Sequence, residues 1–204
     1  VKNFFCRVTT IFFCIGFKAW GYNPSEGNIS VYFGPFAQKT QLQNTTKVPA
    51  SLATPKLGFG TVVLGDINDS SSLEIGLFLK NKQYFREEGA NYLGEETKLI
   101  HITMGYRHWL GKYFSGSITF YSDYSMGDVT VLQNTFATGS EIPTSARDTT
   151  EYGFDFALQS EIWEKDLNAV VLDLRFSKSV TNKVSEDADS YGLMLGYRYL
   201  LQEK

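Results

Sequence analysis

The sequence predicts an all-β chain, an eight-stranded antiparallel up-and-down transmembrane β-barrel. Three observations carry that expectation. Beyond Tyr22, apolar and polar residues alternate with period two in eight separate segments, without helical periodicity. Each segment is roughly 8–12 residues long, near the length a tilted strand needs to cross hydrocarbon. The connections alternate between short and long, the pattern of turns facing one compartment and loops facing another.

Composition narrows the alternatives. A chain of 204 residues with 43% hydrophobic and 20% charged side chains suits one folded domain, and 15% aromatic residues argue against disorder. The net charge is −3, from 19 basic and 22 acidic residues without a Lys/Arg cluster, so no nucleic-acid partner is expected. No apolar run reaches the length of about 18 residues that a membrane helix requires. The mean hydropathy of −0.19 suggests a soluble chain. That average is blind to strands with one apolar and one polar face.

Residues 1–21 read as a secretory signal peptide. Lys2 and Arg7 give a basic start, Val8 to Phe17 are a short apolar stretch, and Ala19-Trp20-Gly21 places small residues at −3 and −1 before Tyr22. The alternative is a buried N-terminal strand or helix. Cys6 and Cys14 both fall in this segment, so the mature chain, 22–204, would lack disulfides, thiolate metal sites and cysteine nucleophiles. Loss of Lys2, Arg7 and Lys18 takes the net charge from −3 to −6.

The strands follow in order. Ile29, Val31 and Phe33 alternate with Ser30, Tyr32 and Gly34; Leu57, Phe59 and Val63 oppose Gly58 and Gly60. Leu73, Ile75, Leu77 and Leu79 alternate with Glu74, Gly76, Phe78 and Lys80. Ile100, Ile102, Met104 and Tyr106 alternate with His101, Thr103, Gly105 and Arg107. Ile118, Phe120 and Tyr124 are set against Ser117, Thr119, Tyr121, Asp123 and Ser125. The last three strands centre on Tyr152–Ile162, Val170–Phe176 and Tyr191–Tyr199. Short connections span 65–71, 110–113 and 164–166. Long polar ones span 38–54, 81–96 and 127–149, and 178–187 is intermediate.

The interior of an eight-stranded barrel barely holds side chains. Small and ion-paired residues suit it better than eight rows of Leu, Ile, Phe and Tyr, so the apolar faces are expected to point outward. The inward polar network then comprises Glu74, His101, Arg107, Asp123, Asp155, Glu161, Asp173, Arg175 and Arg198, with acids and bases placed to neutralise one another. Aromatics near strand ends form the expected interfacial girdles: Phe59, Tyr106, Trp109, Tyr124, Tyr152, Trp163, Tyr191, Tyr197 and Tyr199.

From Asn28 to Leu200 the architecture resembles the small eight-stranded outer-membrane barrels of Gram-negative bacteria, the OmpX and OmpA transmembrane-domain type. Ser190-x-Gly192-x-x-Leu195-x-Tyr197 is similar to the C-terminal assembly signal of that family, although the chain continues through Arg198 to Lys204. The resemblance implies integral residence in the bacterial outer membrane among its lipids, and engagement of Gly192, Leu195 and Tyr197 by the barrel assembly machinery.

Chemistry is sparse. No phosphate loop, metal-ligand cluster or hydrolase elbow is present, and no cofactor, metal or catalytic residue is expected. His101 falls opposite Asp123, with Ser125 on the same face, and some outer-membrane barrels modify lipid A. A lumen-facing group is nevertheless poorly placed to attack lipid, so a hydrogen bond in the lumen is the preferred reading. The expected function is a structural or surface-interaction role without a wide pore, with an extracellular partner at the long loops. The alternatives are a secreted soluble barrel binding an apolar ligand, and a barrel enzyme acting on lipid A or phospholipid.

Overall fold

The computed structural model describes residues 22–42 and 47–202. The segment read as a signal peptide lies outside the described residues. The described residues form ten strands: β1 (Ile29–Thr40), β2 (Lys56–Asn68), β3 (Ser71–Glu88), β4 (Asn91–Trp109), β5 (Phe114–Ser125), β6 (Thr130–Asn134), β7 (Thr150–Lys165), β8 (Asn168–Ser179), β9 (Glu186–Asp187) and β10 (Ser190–Gln202). A single 3₁₀ turn, Ser145–Arg147, lies between β6 and β7 among the described residues.

Eight of these strands close into a barrel in the order β1-β2-β3-β4-β5-β7-β8-β10, with every neighbour antiparallel and β10 returning to β1. Closure matters because hydrocarbon offers no partner to an unpaired backbone N–H or C=O. The first and last strands seal the cylinder through pairs such as Phe33 with Tyr197 and Ala37 with Leu193.

The apolar parity faces outward. Leu73, Ile75, Leu77, Leu79, Ile118, Leu158, Leu174, Leu193 and Leu195 are all exposed, while Glu74, Arg107, Asp155 and Asp173 are fully buried. In a soluble barrel these two sets would exchange places. A cylinder coated with Leu, Ile and Phe and filled with charge has a lipid-facing exterior.

Two aromatics need individual accounts. A β-bulge at Glu161/Trp163 inserts an extra residue, so Trp163 turns outward although it shares parity with inward Glu161. Trp109 has no such bulge before it. It stays on the inward parity of Arg107 and is buried, which removes it from the expected girdle. Of the expected girdle, Phe59, Tyr124, Tyr152 and Tyr191 face outward at the loop side and Tyr106, Trp163, Tyr197 and Tyr199 at the turn side.

The expected loop at 81–96 is strand instead. β3 and β4 stay paired from Asn81 with Lys98 to Glu88 with Asn91, forming a long hairpin that rises past the barrel rim. Its polar composition hid it, because the hairpin leaves the hydrocarbon zone and no longer needs an apolar outer face. Beyond the rim, β6 pairs with β4 and β9 pairs with β3, widening the hairpin into a small sheet. Phe85 and Tyr92 on this sheet pack with Val48 and Ala53 of the β1–β2 loop. A second cluster, Tyr84 with Ala146 and Ala188, includes the 3₁₀ turn.

Part of the lumen is apolar as well. Phe36, Val62, Leu64, Phe78, Val171 and Met194 cluster with Tyr32 on one side of it. Two glycines make room for the rings. A Cβ at Gly192 would lie 2.2 Å from the Phe36 ring, and one at Gly60 would lie 2.5 Å from the Phe78 ring.

Outward placement of Leu174, at the middle of β8, predicts that Leu174→Arg costs about 2–4 kcal/mol of stability in lipid vesicles. The check is reversible urea unfolding of the vesicle-inserted barrel. A change under about 0.5 kcal/mol would show that this face does not meet lipid.

Candidate functional site: the charged lumen and its loop-side cap

The inward parity of seven strands brings charged side chains into a column along the barrel axis. At its centre, Glu74 on β3 lies between two guanidinium groups. Arg107 donates to Glu74 Oε2, with Nη2 at 2.6 Å, and Arg175 Nη2 lies 2.6 Å from Glu74 Oε1. Arg175 also meets Asp173 at 3.1 Å, and the Tyr32 hydroxyl donates to the same carboxylate at 2.6 Å. Arg107 reaches Ser115 as well, at 2.7 Å. All four charged groups are buried, so each depends on its neighbours for the stabilisation that water supplies elsewhere.

Nearer the loops, His101 binds two carboxylates. Nδ1 is hydrogen-bonded to Asp123, its register partner on β5, and Nε2 lies 3.0 Å from Asp155 Oδ2. Arg175 Nη1, 3.6 Å from Asp155, links this layer to the central one. Lys80 and Lys82 approach Asp123 at 3.9 and 3.8 Å. Lys82 Nζ donates to Glu151 at 2.5 Å, and Tyr84 and Tyr121 donate to the same carboxylate at 2.7 Å each.

Glu161 and Arg198 form their own ion pair at the turn-side mouth. Tyr22 sits beside them, with its ring 4.7 Å from Trp109 and the Arg198 guanidinium 4.1 Å above it. Its hydroxyl donates to Asp66 at 2.5 Å, and Ser72 donates to the other oxygen of that carboxylate at 2.6 Å. Burial, reinforced by Asp66, pushes the Tyr22 phenol well above the usual tyrosine range, so it remains a donor.

The loop-side mouth is covered by the β6–β7 loop. Two buried carboxylates hold this cap. Glu95 accepts from Thr144 Oγ1 at 2.6 Å and pairs with Arg147 at 2.6 Å. Glu186 accepts from the Ser145 amide at 2.6 Å and the Ser145 hydroxyl at 2.5 Å. Thr144 in turn caps the 3₁₀ turn by accepting from the Ala146 amide. Hydrogen bonding to Glu95 raises the Arg147 guanidinium further above its already high range.

The His101–Asp123–Ser125 constellation does not assemble. The Ser125 hydroxyl lies 3.2 Å from Thr97 Oγ1 and donates to the Gly127 carbonyl at 3.5 Å. Both His101 nitrogens are engaged by carboxylate oxygens, of Asp123 and Asp155, and neither is bonded to a serine hydroxyl. Among the described residues, no group of three or more His, Cys, Asp or Glu side chains is arranged to hold a metal ion.

Comparison with known proteins sharpens the picture. No family model and no curated protein matches the chain. The crystal structure of the outer membrane protein OprG from Pseudomonas aeruginosa superimposes with a TM-score of 0.58 at 10% identity, covering 91% of this chain and 100% of OprG. The fold is that of a small outer-membrane β-barrel. Ail, the attachment invasion locus protein of Yersinia pestis, in complex with a heparin analogue, gives a TM-score of 0.49 at 13% identity over 85% of this chain and 99% of Ail. The outer membrane protein AlkL gives 0.38 at 9% identity over 92% of this chain and 96% of AlkL.

In this outer-membrane barrel fold, Gly192, Leu195 and Tyr197 all lie on the closing strand β10. Gly192 faces inward against Phe36, while Leu195 and Tyr197 face outward. Shallow grooves of about 370 and 360 Å³ indent the exterior, one beside Phe33, Phe59 and Tyr197 and the other beside Leu158, Leu174 and Tyr191.

Several members of the column are not in the expected network: Lys82, Glu151, Tyr32, Lys80 and Tyr121. Parity was a usable signal for the last three, which alternate with lipid-facing neighbours. Lys82 lies in the stretch read as loop, and Glu151 lies at the edge of the longest one. Their inclusion depends on how far β3 and β7 continue.

Glu74→Leu leaves Arg107 and Arg175 buried without their shared carboxylate. It is expected to destabilise the barrel by about 3–5 kcal/mol. Equilibrium urea unfolding in vesicles measures this, with an unchanged midpoint as the contrary result.

Proposed function

We propose that this chain is a non-conducting, non-enzymatic integral protein of the bacterial outer membrane whose working surface is the loop-side head. The observation that carries the reading is the filled lumen. The Glu74–Arg107–Arg175–Asp173 layer and the His101–Asp123–Asp155 layer cross the interior, while Tyr22 and the Ser145–Arg147 cap occupy its two mouths. Eight strands leave little room for solute beside such layers. The proposed network comprises Glu74, His101, Arg107, Asp123, Asp155, Glu161, Asp173, Arg175 and Arg198, and its role is to plug and rigidify the cylinder.

The head supports a surface-interaction role. The β3–β4 hairpin is braced by β6, β9 and the β1–β2 loop, so it presents a folded surface to an extracellular partner. Outward Lys39, at the loop-side end of β1, suits the phosphate level of outer-leaflet lipid, whereas Lys178 on β8 is ion-paired with Asp189. On β10, Gly192, Leu195 and Tyr197 serve as the assembly signal read by the barrel assembly machinery.

Reconstitution into planar bilayers tests the plug. The purified barrel should give no resolved conductance steps, whereas heat-modifiable mobility on a denaturing gel shows that it is folded. Well-resolved steady channels from folded protein would refute a closed lumen. In cells, Tyr197→Ala should lower the amount of folded barrel in the outer membrane several-fold, read by the same gel shift.

A further inference from the structure

Among the described residues, the turn-side mouth has more carboxylates than cations. Glu161 and Glu164 share one guanidinium, Arg198, and Asp66 joins this group through the Tyr22 hydroxyl. Arg198 is ion-paired with Glu161, and its Nη2 is still 4.0 Å from Glu164 Oε1. Glu164 Oε2 is buried without a hydrogen-bond partner among the described residues. Lys112, in the β4–β5 turn, acts on Glu164 as a more distant positive charge. The half-buried Glu164 carboxylate, with Oε2 unpartnered among the described residues, leaves this mouth able to hold one more positive charge.

Tyr22 places a nitrogen at that position. The residue is only 4% exposed, wedged between Trp109 and Arg198, and its phenol is anchored on Asp66. Its backbone nitrogen lies 3.1 Å from Glu161 Oε2, the carboxylate oxygen not used by Arg198. An amide at this point supplies one donor and no charge. An α-ammonium supplies three donors and a full positive charge.

We propose that the peptide bond before Tyr22 is a processing site, and that the α-ammonium it releases is a structural cation ion-paired with Glu161 in the lumen mouth. This rests on the leader reading of residues 1–21. Water adds across the Gly21–Tyr22 bond: its oxygen joins the Gly21 carbonyl carbon, the C–N bond breaks, and the proton balance leaves a carboxylate on Gly21 and an ammonium on Tyr22. The small residues Ala19 and Gly21 satisfy the peptidase, and the aromatic that follows them is the residue that plugs the mouth. Processing and final packing thereby meet at one atom.

Two measurements test the proposal separately. The first is the intact mass and N-terminal sequence of the folded barrel isolated from cells expressing the full chain. Tyr22 as first residue supports the site, and any other terminus overturns it. The second uses barrel beginning at Tyr22, refolded in a non-ionic detergent and labelled with an acylating reagent across a pH series. Mass spectrometry then reads modification of the Tyr22 amine. The midpoint of the labelling profile should fall by about one pH unit or more in Glu161→Gln, equivalent to about tenfold faster labelling near neutrality. An unchanged midpoint in folded Glu161→Gln overturns the ion pair even where Tyr22 is first. If Glu161→Gln does not fold, wild type carrying an additional N-terminal Gly replaces it. A lower urea midpoint for that extended barrel supports the proposal, and an equal one overturns it.

Discussion

Closure of the hydrogen-bonded cylinder is the constraint on which the other features depend. A strand edge exposed to hydrocarbon would leave a row of backbone groups without partners, so β10 must return to β1. Once eight strands close, the interior has a fixed, narrow bore. Side-chain size and charge on the inward parity are then solved together. Glycines at 60 and 192 yield to the rings of Phe78 and Phe36, and the remaining space is taken by ion pairs.

Those ion pairs are better understood as mutual dependence than as surplus stability. Each guanidinium or carboxylate has been removed from water, and attraction within the column chiefly offsets that loss. What the column gains is specificity. A register slip of one residue on any strand would send Glu74, Asp155 or Arg175 into lipid and Leu73, Phe154 or Leu174 into the bore. The outward and inward sets therefore select the same register, and the alternative pairings are strongly disfavoured.

His101 has the neighbours that first suggest an active site, yet both of its nitrogens are engaged by carboxylates and Ser125 is bonded elsewhere. The differentiated part of the molecule is the head. There the β3–β4 hairpin leaves the membrane zone, acquires β6 and β9 as extra strands, and builds small hydrophobic clusters around Phe85 and Tyr84. Such packing gives the head a folded surface of its own.

The eight barrel strands, their parity and the short turns were legible in the residues alone, because period-two alternation is a local property that lipid and a narrow bore enforce. The same logic located Glu74, Arg107, Asp155 and Arg175 on the inward face. What local pattern could not decide was where strands stop and which way individual end residues turn. Residues 81–96 carry their apolar side chains as adjacent pairs, Tyr84-Phe85 and Tyr92-Leu93, so no alternation marks them as strand, and only pairing of β3 with β4 extends the hairpin. Trp163 faces outward because of a bulge, Trp109 inward for want of one, and Tyr22 joins Asp66 and Glu161 only when distant strands converge. Alternation along a strand is set by its own backbone geometry; bulges, caps and mouth contacts depend on which strands become neighbours, which is a property of the closed cylinder.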